Sequence, residues 1–164
     1  MNKIKFNKTF VVFSFLLLFA CSRKETIQIG VYKFETPDWW QQIDVKLPKS
    51  INNEDEVQKF ISSNYGETNG NEVTWKQAMK CWAEYYTNTK QFPIFIGHCF
   101  IKGKDYKSAI KVYTELYYLA DTQKGNEDFM KTYLAYSVAE TYLKIDNISK
   151  AKIWFSFAAE DHFL

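Results

Sequence analysis

The sequence predicts an all-α fold of helical hairpins, preceded by a short N-terminal segment that is either extended or a β-hairpin. Two stretches, starting at Pro93 and Leu134, each contain an apolar-periodic helix, a tight polar turn and a second periodic helix. They align without gaps at four core positions, pairing Gly97 with Ala139, Phe100 with Tyr142, Ala109 with Ala151, and Tyr113 with Phe155. Internal similarity of this kind is typical of a repeat architecture.

The first twenty residues have the features of a secretory signal. Three lysines precede eleven mostly apolar residues, 10–20, and such a helix is too short to cross a hydrocarbon core that needs about 20 residues. Cys21 follows directly, and residues 18–21 resemble a bacterial lipobox. We therefore expect residues 1–20 to be a lipoprotein signal peptide, Cys21 to carry palmitate, and residues 21–26 to be a lipid tether. An ordinary signal peptide or an uncleaved anchor is the alternative.

The charge balance argues against nucleic acid as a partner. Without the three lysines of the signal, the chain has 18 basic and 19 acidic residues. Arg23 is the only arginine, and arginine is the side chain best suited to phosphate and base-edge recognition. The remaining chain is long enough for one domain, and an aromatic content of 18% supplies large core residues.

Residues 27–89 are expected to hold the extended segment and a first helix pair. Apolar residues alternate over 27–31 and again over 43–47, which predicts two short strands flanking residues 36–38. An extended arm against the first helices is equally possible. Asn53 and Glu56 have the spacing of a capping box, and apolar residues at helical spacing predict helices over 54–63 and 74–88.

Residues 90–164 are expected to form two repeat units. In each copy an aromatic stands nine residues before an alanine and another aromatic four residues after it, while a small residue on the first helix lets the two helices approach closely. This pattern resembles the tetratricopeptide repeat, with units at about 90–123 and 132–164. The copies lie 42 residues apart where that family has 34, which predicts a longer connection around 122–127.

The resemblance implies a partner-binding groove lined by the first helix of each unit. In that family peptides lie in a concave groove, a surface suited to an extended peptide or a helix. The corresponding positions here are Gln91, Ile94, His98, Ile101, Lys102, Tyr133, Tyr136, Glu140, Leu143 and Lys144. Packing of Ile94 and Leu143 by the N-terminal arm, with no open groove, is the alternative.

The last repeat helix is a second candidate surface. No additional capping helix follows it in the sequence, so Trp154, Phe157 and Phe163 are candidates for an exposed end that a partner covers. A self-covering turn of the helix end is the alternative.

The sequence offers little chemistry for catalysis. It has two histidines, and it contains neither a metalloprotease nor a phosphate-loop motif, so we expect no catalytic residue, metal or cofactor. His98 and Cys99 are adjacent in a helix and so point about 100 degrees apart. Cys81 and Cys99 form either a disulfide or two small buried residues. Residues 54–56 are either a calcium site or a solvated helix start. Trp39 and Trp40 are either a stacking platform for a sugar or peptide or a pair packed against the core.

The expected function is a membrane-anchored envelope lipoprotein that acts as a protein-binding or assembly module. Its expected partner is an envelope protein or peptide, and Ser22 after the cysteine resembles lipoproteins sent to the outer membrane. One rival is an immunity or inhibitor lipoprotein against a secreted toxin. The other is a glycan or cell-wall enzyme that would use Trp39–Trp40 with carboxylates such as Glu84 and Glu140.

Overall fold

The computed structural model describes residues 25–66, 72–120 and 127–160. This part of the chain is mostly helical, with a two-stranded antiparallel sheet before the first helix. The strands are β1 (Thr26–Ile29) and β2 (Tyr32–Glu35). The helices are α1 (Glu54–Tyr65), α2 (Glu72–Thr89), α3 (Ile94–Lys102), α4 (Tyr106–Ala120), α5 (Glu127–Leu143) and α6 (Ile148–Glu160).

The β-hairpin occupies residues 26–35, which all precede residues 36–38, so the prediction of two strands flanking 36–38 is wrong. Ile29 pairs with Tyr32, which leaves Gly30 and Val31 as a two-residue loop. Gly30 has a φ of 56° and is the first loop residue, the position where a tight hairpin turn requires glycine. Thr26 already belongs to β1, so the predicted tether of 21–26 overlaps the folded part.

The second alternating run, 43–47, forms no strand because its backbone bonds to side chains of α2. A 3₁₀ turn covers Trp40–Gln42. The Lys80 ammonium donates to the carbonyls of Trp40 (3.0 Å) and Ile43 (2.7 Å), and the Leu47 N–H donates to the Glu84 carboxylate (2.7 Å). These bonds fix the segment along α2 without a partner strand.

The start of α1 confirms Asn53 as the N-cap, whereas the reciprocal bond of Glu56 goes to the residue before it. The Asn53 side chain accepts from the Glu56 N–H at 2.9 Å, and the Glu56 carboxylate accepts from the Asn52 N–H at 3.1 Å. Glu54 accepts from the Tyr86 hydroxyl at 3.2 Å. These carboxylates bond the start of α1 and attach it to α2. Of the two alternatives for residues 54–56, this arrangement corresponds to the helix start and not to the calcium site.

The α3–α4 and α5–α6 turns share two hydrogen bonds, displaced by 42 residues. In the first, Lys104 has a φ of 58° and the Asp105 N–H bonds the Phe100 carbonyl at 2.9 Å. In the second, Asp146 has a φ of 56° and the Asn147 N–H bonds the Tyr142 carbonyl, also at 2.9 Å. This is the helix-ending pattern of a Schellman motif, and it occurs at both predicted turns.

The predicted close approach of α3 and α4 occurs at Gly97. A Cβ built there would overlap the ring of Tyr113, which is fully buried. Each helix packs chiefly against its neighbours in sequence, from α1 through α6, while β1 contacts α2 and β2 contacts α4. The hairpin therefore packs on the side formed by α2 and α4, the second helices of the first two pairs.

Candidate functional site

A groove runs between α1 and α3, with α2 as its floor. We call it the α1–α3 groove. Its floor residues on α2, Trp75, Ala78, Trp82 and Tyr85, are three or four positions apart and so share one face of that helix. α1 and α3 form the walls because each is the first helix of its pair.

The inner part of the groove is a cavity of about 280 Å³ with aromatic walls. Phe95 of α3 stacks on Trp82 with ring centroids 4.3 Å apart and an interplanar angle of 15°. The cavity is lined by Gln58, Ile61, Trp75, Ala78, Trp82, Phe95, His98, Cys99 and Lys102. Its lining combines aromatic and aliphatic side chains with the polar groups of Gln58, His98 and Lys102.

The outer part is a broader depression of about 600 Å³, one turn further toward the starts of α1 and α3. It is more polar and carries two carboxylates. It is lined by Asn52, Asn53, Glu54, Asp55, Tyr85, Gln91, Phe92, Ile94 and Met130. The groove therefore has acidic side chains at one end and Lys102 at the other.

His98 links the inner cavity to α5. Its Nε2 hydrogen-bonds the Tyr133 hydroxyl, and its ring meets Phe95 edge-on at 5.1 Å and Tyr113 at 6.0 Å. Burial, and secondly the charge of Lys102, lower the pKa of His98 from its ordinary value. His98 is therefore neutral at pH 7 and acts as a hydrogen-bonding wall residue.

The structure divides the ten predicted groove residues between two surfaces. Gln91 and Ile94 line the outer part of the groove, His98 and Lys102 the inner cavity, and Tyr133 bonds His98. Ile101 is partly buried against the core. The others line neither cavity and lie on the exposed face of α5 or just after its end: Tyr136, Glu140, Leu143 and Lys144.

The predicted exposed end is wrong for Trp154. This residue is only 9% exposed, and its ring meets Tyr117 of α4 edge-on at 5.3 Å. Phe157 is partly buried and stacks on Tyr117 at 6.3 Å. Phe163 lies outside the described residues, as do Cys21 and the signal segment.

Residues of α1 and α2 that line the groove were not among the predicted site residues. Gln58 and Ile61 form one wall, and Trp75, Ala78 and Trp82 form the floor. The available signal was the helical spacing of Trp75, Ala78 and Trp82, which indicated a diverged first helix pair. Treating that pair as a third unit would have put its first helix, α1, on the groove.

A third cavity, of about 480 Å³, lies between the β-hairpin and α4. Trp39 and the ion pair of Glu35 with Lys111 (3.4 Å) line it. Trp40 is buried, and Trp39 packs edge-on against Trp75 at 5.2 Å, which is the packed-pair alternative for these two residues.

The carboxylates of the enzyme hypothesis each have a hydrogen-bond partner. Glu84 accepts from the Leu47 N–H, and Glu140 accepts from Tyr136 on the exposed face of α5. They lie on different helices and neither lines any of the three cavities. This arrangement does not form a pair of catalytic carboxylates around one cavity.

Cys81 and Cys99 are free and buried, so the disulfide alternative is wrong in this structure. Burial raises the pKa of Cys81 to about 12, and it raises that of Cys99 further. Thiols with raised pKa values are poor nucleophiles at neutral pH. In the ranges that the structure describes, no three His, Cys, Asp or Glu residues are grouped as metal ligands would be.

A scan against protein-family models found no match, and neither curated proteins nor solved structures gave a significant match. Among the described helices, none combines the length and apolar composition that crossing a bilayer requires.

Proposed function

We propose that this chain is a membrane-anchored envelope lipoprotein that acts as a protein-binding module through tetratricopeptide-like helical pairs. The observation that carries the proposal is the α1–α3 groove, with its aromatic-lined cavity next to a broader polar depression. Two features support the repeat type: the shared turn of α3–α4 and α5–α6, and the contact of Gly97 with Tyr113.

The shape and charges of the groove suit an amphipathic helix or extended peptide. An aliphatic or aromatic side chain of the partner fits the inner cavity, where it would contact Trp82 and Phe95. Basic side chains suit the end with Glu54 and Asp55, and an acidic side chain suits the end with Lys102. The anchor would be lipid on Cys21. A single acyl chain binds membranes only reversibly, so firm anchoring of the domain would use several acyl chains.

The test is photo-crosslinking in living cells that make the full chain. A photoreactive side chain at Gln58 faces the inner cavity, whereas one at Lys59 is exposed on the same helix, about 100 degrees around it. We expect the probe at Gln58, and not the one at Lys59, to capture one envelope protein through a segment with a bulky apolar residue. Equal capture from both positions, or none from Gln58, would contradict the groove assignment.

Two variants complete this test. Lys102→Glu reverses the charge at the inner end and is expected to reduce capture about tenfold, while Lys107→Glu, exposed on α4, leaves it unchanged. Cys21→Ala is expected to lose palmitate labelling and to leave the membrane fraction with the fold intact. If the captured partner is a secreted toxin, the inhibitor role is the correct form of the proposal.

A further inference from the structure

The cavity between the β-hairpin and α4 has no part in the proposed function. We call it the β-hairpin cavity. Its volume of about 480 Å³ lies within the range of small-molecule sites. Its base is formed by three aromatic side chains of the core, Tyr32, Phe34 and Phe100, which are buried. Trp39 also lines the cavity but is only partly buried, so part of its ring is open to a ligand.

The rim of the β-hairpin cavity is acidic. Its lining includes the exposed carboxylates of Glu35, Asp38 and Asp105, together with the ammonium group of Lys111. Lys111 lies 3.4 Å from the Glu35 carboxylate and 4.0 Å from that of Glu115, so two carboxylates already share it. Three carboxylates and one ammonium group give the described lining a net charge of −2. This charge favours a cationic ligand.

The tryptophans at this cavity already contact two ammonium groups of the chain itself. Lys80 Nζ lies over the ring of Trp40, 4.9 Å from its centroid, and Lys76 Nζ lies over that of Trp39 at 5.5 Å. Both distances are within the range of about 6 Å over which an aromatic ring attracts a cation. Lys76 does not line the β-hairpin cavity, whereas Trp39 does. The part of the Trp39 ring that faces the cavity is therefore available to a further cation.

Hydrogen bonds fix the acidic rim on both sides of the cavity. On the β-hairpin side, the Thr36 N–H and hydroxyl each donate to the Glu25 carbonyl at 2.9 Å, which holds the backbone between Glu35 and Asp38. On the α4 side, the Asp105 carboxylate accepts from the N–H and hydroxyl of Ser108 at 3.2 and 2.7 Å. A rim that is ordered in advance lowers the entropy cost of binding.

We propose that the β-hairpin cavity binds a small organic ammonium ion. The charged group of the ion faces the carboxylates of Asp38 and Asp105, and its methyl or methylene groups lie against Trp39. The net negative rim would repel a phosphate attached to the ion, so the ligand is a free ammonium ion and not a phospholipid headgroup. No residue that lines this cavity lines the α1–α3 groove, so the proposal is independent of the proposed function.

The first test is equilibrium dialysis of radiolabelled choline against the purified full chain in a non-ionic detergent. Choline is a quaternary ammonium ion, and 3,3-dimethylbutan-1-ol has the same shape with carbon in place of the charged nitrogen. We expect choline to bind saturably and the neutral alcohol to compete at least about tenfold more weakly. Phosphocholine is expected to compete less well than choline. The absence of saturable binding, equal competition by the alcohol, or stronger competition by phosphocholine would each overturn the proposal.

The second test changes the charges of the rim. Asp38→Asn and Asp105→Asn are each expected to weaken choline binding about threefold, and asparagine at position 105 keeps the N-cap of α4. Asp44→Asn removes the same charge from an exposed position outside the cavity and should leave binding unchanged. Lys111→Met removes the competing ammonium group and should strengthen binding about threefold. An equal loss in Asp44→Asn, or weaker binding in Lys111→Met, would contradict the assignment of this cavity.

The third test separates the ring of Trp39 from simple apolar contact. Trp39→Leu keeps an apolar side chain but loses the attraction of the ring for a cation, so choline binding should weaken about fivefold. The weak competition by the neutral alcohol should stay as it is, and circular dichroism checks that the variant is folded. Unchanged choline binding in this variant would show that the ion does not lie on Trp39.

Discussion

The hairpins α3–α4 and α5–α6 have the same turn and the same core spacing, yet very different surroundings. The first is packed between α2 and α5, and its central aromatic, Tyr113, has no exposed surface. The second packs on α4, and its equivalent aromatic, Phe155, is partly exposed. Local sequence therefore sets the turn, while neighbouring helices decide how much each shared position contributes to stability.

The largest expected effect comes from removing the central aromatic of each hairpin. Tyr113→Ala should lower the free energy of unfolding by about 3–5 kcal/mol because it opens a fully buried cavity. Phe155→Ala should cost only about 1–2 kcal/mol because that ring buries less apolar surface in the monomer. Urea denaturation followed by circular dichroism measures both. Equal losses would show that the second hairpin is covered as fully as the first.

A smaller and equal effect is expected at the two turns. The Asp105 carboxylate accepts from the Ser108 N–H and the Asn147 side chain accepts from the Lys150 N–H, each at 3.2 Å. Asp105→Ala and Asn147→Ala each remove one such N-cap and should each cost about 1 kcal/mol. The same denaturation measurement checks them. A large difference between the two would mean that the turns depend on their surroundings after all.

The smallest effect concerns pH and comes from His98 of the first hairpin. The pKa of His98 is lowered by burial and by Lys102, so the unfolded chain binds its proton more readily than the folded chain. The contribution of His98 to the stability of the fold is complete above the pKa of about 6.5 that it has in the unfolded chain. It is lost as pH falls through the lower pKa that it has in the folded chain.

Urea midpoints at pH 7.5, 6.5 and 5.5 test this in the wild type and in His98→Gln. The midpoint of the wild type should fall more steeply toward pH 5.5 than that of the variant. His162 is present in both chains and cancels in the comparison. Parallel pH profiles would show that His98 does not contribute to the pH dependence.

The helices and their turns were predictable because their signals are local. Apolar residues at helical spacing predicted helices close to α1 and α2, and the two tight turns lie where the sequence placed them. The N-cap at Asn53 is also a local pattern, and it was confirmed.

The errors arose where distant side chains decide the structure. Residues 43–47 alternate like a strand, but Lys80 and Glu84, far along the chain, bond their backbone instead. The error at Trp154 had a different cause, because its spacing from Ala151 and Ala158 marks the buried face of α6.

The candidate site was predictable only in part. The resemblance placed Gln91, Ile94, His98 and Lys102 on a groove, and these four residues do line its two parts. The opposite wall comes from Gln58 and Ile61, whose sequence carries no repeat pattern strong enough to align with the later units. Which helices face each other across a gap is a property of the assembled fold.

The attachment of the β-hairpin determines how the groove would be presented to a partner. β1 and β2 pack on α2 and α4, while α1 and α3 form the groove walls, and the Glu25 carbonyl is held by the Thr36 N–H and hydroxyl at 2.9 Å. Four residue steps from Glu25 back to Cys21 span at most about 14 Å. A lipid on Cys21 would therefore hold the domain close to the bilayer by its second-helix side, with the mouth of the groove oriented away from the headgroups.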